Sequence, residues 1–204
     1  MLRRAVTHLK RSDPVMANIV ARVGPCRFKT RSGASAFEVL TSAIISQQVS
    51  GAAAAAIRQR VYAVFADRPP EPAQLLEVSD PTLRAAGLSR QKIAYLQDLA
   101  RHAVDGALPF DQFATMPDEE IIRALVAVKG IGRWTAQMFL MFQLGRPDVL
   151  PELDLGIRMA VKRAYRLRQP PDVRRLQRIG AAWAPYRTIA SWYLWRSLDG
   201  EAAI

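Results

Sequence analysis

The chain has one cysteine, Cys26, and two histidines, His8 and His102, among 204 residues. A single thiol forms no internal disulfide and cannot hold an iron-sulfur cluster, which takes about four thiolates. Two histidines are too few for a zinc site of the usual kind, so metal-centred chemistry is not expected. Acidic residues are also short, 18 against 29 basic ones, leaving a net charge of +11. Only five of the basic residues are lysine; the rest are arginine, whose planar fork suits phosphate. The excess is steepest between Leu155 and Leu198, where ten basic side chains stand against Asp172 alone. A polyanionic partner follows from this as readily as a merely solvated basic face.

Long apolar runs are missing too. The N-terminus, with Arg3, Arg4, Lys10 and Arg11 around a short apolar stretch, lacks the core of a secretion signal. Val39 to Ile57 is uncharged and nearly long enough to cross a bilayer, yet it contains Thr41, Ser42, Ser46, Gln47, Gln48, Ser50 and Gly51. We expect a bend there and no membrane span, with a cytosolic or nuclear compartment by default.

What remains is an ordinary folding composition, half apolar and about a quarter charged, of a length that suits one domain or two small lobes. Nearly every segment reads as helix. Asp13-Pro14 starts a helix over Val15 to Val23, and helices are expected over Ala34 to Ile45, Ala52 to Phe65 and Pro72 to Glu77. Asp80-Pro81 caps a short helix ending at Gly87, and Ser89 caps Arg90 to Val104. Pro117 with Asp118, Glu119 and Glu120 opens a helix through Val128, acids facing the positive end of its dipole. Arg133 to about Gln143, Leu153 to Leu167, Asp172 to Ala182 and Pro185 to Leu198 complete an all-α chain. Only Arg27 to Arg31 has a local extended pattern.

The segment from Val126 to Ala136 has a physical logic of its own. In Lys129-Gly130-Ile131-Gly132, two glycines permit a tight turn, Ile131 plugs the space between two helices, and bare backbone can approach another molecule. The amides of Gly130, Gly132 and Thr135 then point from a helix N-terminus, where a phosphate is favoured. Such a contact positions DNA without reading its sequence. Alone, the pattern is weak, and a structural turn between helices is the plainer reading.

Four stretches widen the pattern: Ala43 to Ser50, Val128 to Ala136, Leu150 to Ile157, and Trp183 to Trp195. In order and spacing they resemble the helix-hairpin-helix DNA glycosylase superfamily, and specifically its 3-methyladenine DNA glycosylase II branch, from Phe37 to Trp195. The resemblance implies one domain over 1–204, a two-lobed helical bundle flanking a central active-site cleft, with the hairpin motif at about 118–143. It also implies catalytic helices without the extra β-domain of longer relatives.

The resemblance gives Asp154 the catalytic role: its carboxylate stabilises positive charge developing on the sugar of an extruded nucleotide and orients the attacking water. On its own, Asp154 also reads as a helix N-cap. Glu152 is the second candidate, and Leu153 stands where the branch often has an auxiliary acid. At position 134, relatives that cleave the DNA backbone carry a Schiff-base lysine; Trp134 implies hydrolysis only. Trp134 and Trp195 match stacking positions for a cationic base, while Met138 and Leu155 depart from an aromatic pattern. Trp183 and Trp192 read as core. Gln48 matches the wedge that fills the space of the flipped nucleotide, although a buried, self-capped bend is the plain alternative. Lys129, Gly130, Gly132, Arg133 and Thr135 form the implied DNA contact. The hairpin is also implied to hold Na+ or K+ on the carbonyls of Val126, Val128 and Ile131, with no other cofactor. The implied partner is double-stranded DNA carrying alkylated bases, bound by a monomer. A non-catalytic helix-hairpin-helix DNA-binding module, or a glycosylase for another damaged base, is the alternative.

Overall fold

Short polar side chains start seven helices of this chain. In the computed structural model, which describes residues 1–199, the side chains of Asp13, Ser35, Ser50, Ser79, Ser89, Asp154 and Asp172 each accept a backbone N–H of a first helical turn. Each such cap is worth about 1 kcal/mol. The helices are α1 (Leu2–Ser12), α2 (Pro14–Val23), α3 (Ala36–Ser46), α4 (Gly51–Val64), α5 (Pro72–Glu77) and α6 (Asp80–Ala85). They continue as α7 (Arg90–Val104), α8 (Asp118–Val126), α9 (Arg133–Phe142), α10 (Leu155–Ala164), α11 (Val173–Gly180) and α12 (Arg187–Arg196). Two short 3₁₀ turns, Phe110–Gln112 and Ala181–Trp183, complete the set, and no strand occurs among the described residues. The chain is all-α, as expected; Arg27 to Arg31 is loop.

The differences from the sequence reading have local causes. α1 was not expected; its arginines lie outward while Ala5 and Leu9 are buried. Ser79, not Asp80, caps α6. The helix expected over Leu153 to Leu167 is trimmed to α10, because Asp154 turns outside it as the cap. Arg166, at φ +51, ends it. The expected helix over Asp172 to Ala182 tightens into 3₁₀ geometry after Gly180.

The chain divides into two compact units, one formed by Met1–Thr30 with the chain from Leu140 on, the other by Arg31–Phe139. In the first, α1, α2, α10 and α12 pack on one another around Leu9, Met16, Ile157, Val161, Ile189 and Leu194. Burying each such side chain stabilises the unit by about 1.5–3 kcal/mol. Trp183 is fully buried there and Trp192 packs edge-on to Tyr193, so both are core. Asp13 is a carboxylate buried beside this core. Its Oδ1 accepts from the amides of Val15 and Met16, and its Oδ2 accepts from Trp183 Nε1 at 2.9 Å and from the Tyr165 hydroxyl. Burial, reinforced by that carboxylate, pushes the Tyr165 phenol above its ordinary value.

In the second unit α7 is the central post, with α3, α5 and α6 against it. The uncharged stretch from Val39 to Ile57 is split between α3 and α4. Among the described residues no helix is long and apolar enough to cross a membrane.

Candidate active site

The hairpin lies in the second unit, where α8 ends at Val126 and α9 begins at Arg133. Gly130 holds φ +83, and a Cβ there would sit 2.1 Å from Tyr95 Cδ2, so this position needs glycine for both conformation and space. Three contacts, two to Asp98 and one from Gln47, anchor the turn. The amide of Lys129 donates to Asp98 Oδ2 at 2.9 Å, the Lys129 ammonium lies 3.7 Å from Asp98 Oδ1, and Gln47 Nε2 donates to the Gly130 carbonyl at 2.8 Å. Ile131 is buried, plugging the turn as expected. Around Gly132 there is open space, and the first helical bond of α9 runs from the Ala136 amide to the Gly132 carbonyl. The amides of Gly132 and Thr135 therefore precede the hydrogen-bonded part of the helix, at its positive end.

Arg133 departs from the expected contact set. Its guanidinium forks onto Glu119, with Nη2 to Oε1 at 2.6 Å and Nη1 to Oε2 at 3.0 Å. The arginine holds the Glu119 carboxyl below its usual range. A phosphate at this side chain competes with Glu119.

The bend before α4 separates two neighbouring glutamines. Gln47 is tied to the hairpin, whereas Gln48 is exposed, holds φ +56, and makes no hydrogen bond among the described residues. The bend is capped by Ser46 on the Ser42 carbonyl, by Ser50 on the Ala53 amide, and by Lys92 Nζ on the Ile45 carbonyl. The bend is thus capped in part by its own serines, and exposed Gln48 takes no part in those caps. On α9, Trp134 is 46% exposed, and half-buried Met138 follows one turn later.

Asp154 lies in the first unit, and it is both the cap and a held carboxylate. Oδ1 accepts from the Ile157 amide at 2.8 Å and from Trp195 Nε1 at 2.9 Å. Trp195 was expected to stack on a base. Its ring stacks on Phe142 at a centroid distance of 6.1 Å and 26°, and Phe142 in turn packs on Phe28. The indole thus fixes the carboxylate by its edge while Phe142 fixes the indole by its face. Gly156 makes room for the pair: a Cβ there would lie 3.1 Å from Asp154 Oδ1 and 3.3 Å from Trp195 Cδ1. Glu152 is buried, and Leu155 is exposed at 66%.

The match to known proteins is now decisive. The family model described as "HhH-GPD superfamily base excision DNA repair protein" matches residues 41–185. This chain belongs to that superfamily. Relatives of this HhH-GPD protein include the alkylbase DNA glycosidase-like protein mag2 of Schizosaccharomyces pombe, 32% identical over 95% of this chain and 92% of that one. DNA-3-methyladenine glycosylase 1 of the same yeast is 34% identical over 96% of this chain and 87% of its own length. Among solved structures, DNA-3-methyladenine glycosidase from Bacillus halodurans superposes with a TM-score of 0.88 at 37% identity, covering 97% of this HhH-GPD chain and 90% of that one.

Several supporting groups escaped the sequence reading. Asp98 is a charged residue on the buried face of α7 among Ile93, Leu96 and Leu99, a break in apolar periodicity that marks a buried partner. Gln47, Tyr95, Phe142 and Gly156 carried no such signal, because their roles come from packing between distant segments.

Proposed function

We propose that this chain is a monofunctional DNA glycosylase hydrolysing the N-glycosidic bond of alkylated purines, of the 3-methyladenine and 7-methylguanine type, in duplex DNA. One observation carries the reading: the Asp154 carboxylate is held through Oδ1 by the Ile157 amide and the Trp195 indole. As the bond from C1′ to the ring nitrogen breaks, the base leaves with the electron pair, which neutralises the charge that alkylation placed on it. Positive charge develops on the sugar, where a fixed carboxylate stabilises it and orients the incoming water. Water oxygen bonds to C1′ and its proton is released.

The other residues divide the binding. The backbone at Gly130, Gly132 and Thr135, with Lys129, takes a phosphate. Exposed Gln48 fills the stack when the nucleotide turns out. Trp134 offers a π-face to a cationic base, with Met138 one turn along the same helix; exposed Leu155, beside Asp154, is a further base contact. With tryptophan at position 134 no Schiff base forms there, and the product is an abasic site in an intact strand. Relatives named for 3-methyladenine glycosylase activity support the substrate class. A solved relative from Schizosaccharomyces pombe, 34% identical with a TM-score of 0.80, is described in complex with abasic DNA.

Asp154→Asn isolates the charge, since an amide oxygen can accept both bonds. Release of methylated bases from alkylated DNA should fall by at least about 100-fold, with duplex binding retained; near-normal release would overturn the assignment. The product strand should stay whole until alkali is added, and a borohydride-trapped adduct would overturn the hydrolytic reading.

In the same reading the carbonyls of Val126, Val128 and Ile131 hold an alkali cation. They fall in one turn, and the Val128 oxygen, which accepts from the Ile131 amide at 3.1 Å, has a second lone pair for a ligand. Replacing potassium by tetramethylammonium at equal ionic strength should weaken duplex binding; equal binding removes the cation. The protein acts as a monomer, which light scattering in the presence of duplex tests directly.

A further inference from the structure

Neither the hairpin nor the surroundings of Asp154 use the arginines of α11 and the turn before it. Arg166, Arg168, Arg174, Arg175 and Arg178 are all exposed, and none forms an ion pair among the described residues. The adjacent carboxylate, Asp172, caps α11 through Oδ1 on the Arg175 amide at 2.7 Å. The five arginines form one surface. Arg166, Arg168 and Arg175 line one shallow concavity, Arg175 and Arg178 the next, and Arg174 and Arg178 a third that reaches Ala181.

The surface continues onto α1. Ala181 and Ala182 are exposed, and His8 Nε2 lies 3.3 Å from the Ala182 carbonyl oxygen. Arg4, His8 and Arg11 follow at helical spacing on one face of α1, lining a concavity beside Tyr186. Both strips belong to the first unit.

A face that is only solvated usually interleaves acids, whose pairs at three and four residues support the helix. Here Arg174 with Arg178, and Arg175 with Arg178, repel at those spacings and oppose the helix that carries them. A polyanion laid on the face removes that repulsion. On α11 and the turn before it every cation is arginine, which grips phosphate with two parallel donors.

We propose that the α1–α11 face is a second contact surface for the sugar-phosphate backbone of duplex DNA, holding the protein on DNA without regard to base sequence. This rests on the glycosylase reading only for naming DNA as the polyanion. Its test uses undamaged duplex, so it succeeds or fails separately from base release.

The test compares two triple charge reversals for binding to undamaged duplex across a salt series, with circular dichroism to confirm helix content. Arg174→Glu/Arg175→Glu/Arg178→Glu changes the surface. Arg68→Glu/Arg90→Glu/Arg101→Glu changes exposed arginines outside it by the same net charge. Each lost phosphate contact lowers the slope of log K against log salt by about 0.9. The surface variant should therefore flatten the slope by roughly two to three, while the control stays near the unmodified protein. Equal losses in both variants would reduce the effect to net charge and overturn the proposal, as would an unchanged slope in the surface variant. Binding to phosphatidylserine vesicles that the surface variant loses, with duplex binding intact, would assign the face to a membrane and overturn the DNA assignment.

Discussion

Replacing Trp195 by phenylalanine removes one hydrogen-bond donor and keeps a ring. The indole N–H donates to Asp154 Oδ1 at 2.9 Å, and its ring stacks on Phe142. Phenylalanine preserves that stack and leaves Oδ1 with the Ile157 amide. A hydrogen bond to a charged acceptor is worth about 1.5–3 kcal/mol, and the pair is half-buried, which favours the lower half of that range. If the bond serves to hold the carboxylate in its transition-state position, that is a rate loss of roughly ten- to fortyfold. The assay is single-turnover release of 7-methylguanine from alkylated duplex, with duplex affinity measured alongside. Affinity should not change. In an Asp154→Asn background the same replacement should cost much less, because there is no charge left to hold. A wild-type rate for Trp195→Phe would refute the positioning argument. So would full additivity of the two substitutions, which would place the indole on the base instead.

Three further outcomes follow from neighbouring geometry. Gly156→Ala puts a methyl 3.1 Å from Asp154 Oδ1 and 3.3 Å from Trp195 Cδ1, so base release should slow several-fold while the urea midpoint barely moves; an unaffected rate would show that the pair tolerates displacement. Gly130→Ala combines φ +83 with a contact of 2.1 Å to the Tyr95 ring, and should destabilise the protein by at least about 2 kcal/mol in urea unfolding. Glu119→Gln should steepen the salt dependence of duplex binding by up to about 0.9, because Arg133 becomes available to a phosphate. The Glu119 carboxyl is held below its usual range by Arg133, so the fork persists at neutral pH and is lost only as pH falls through that lowered value. Acidification should therefore mimic the substitution at the hairpin, and a salt slope independent of both would refute the competition.

Much of this protein could be read along the chain. Asp13 and Ser89 announce helix starts because a cap is a local contact between a side chain and an amide two or three residues on. The hairpin was legible for the same reason, since Gly130 and its plugging Ile131 act within one turn. α1 was missed because its three-residue apolar spacing is short and crowded by arginines; what settles it is burial of Ala5 and Leu9 against residues far along the chain.

The candidate site divides in the same way. Local sequence determined that Asp154 begins a helix, that position 134 offers a ring and no amine, and that the chain is rich in arginine. Tertiary structure alone decided that Trp195 reaches back 41 residues to the carboxylate, that Gln47 and not Gln48 anchors the hairpin, and that Glu119 occupies Arg133. The reason is physical: a cap or a turn is specified by neighbours in sequence, whereas the direction of a side chain's hydrogen bond depends on which distant backbone the packed core brings beside it.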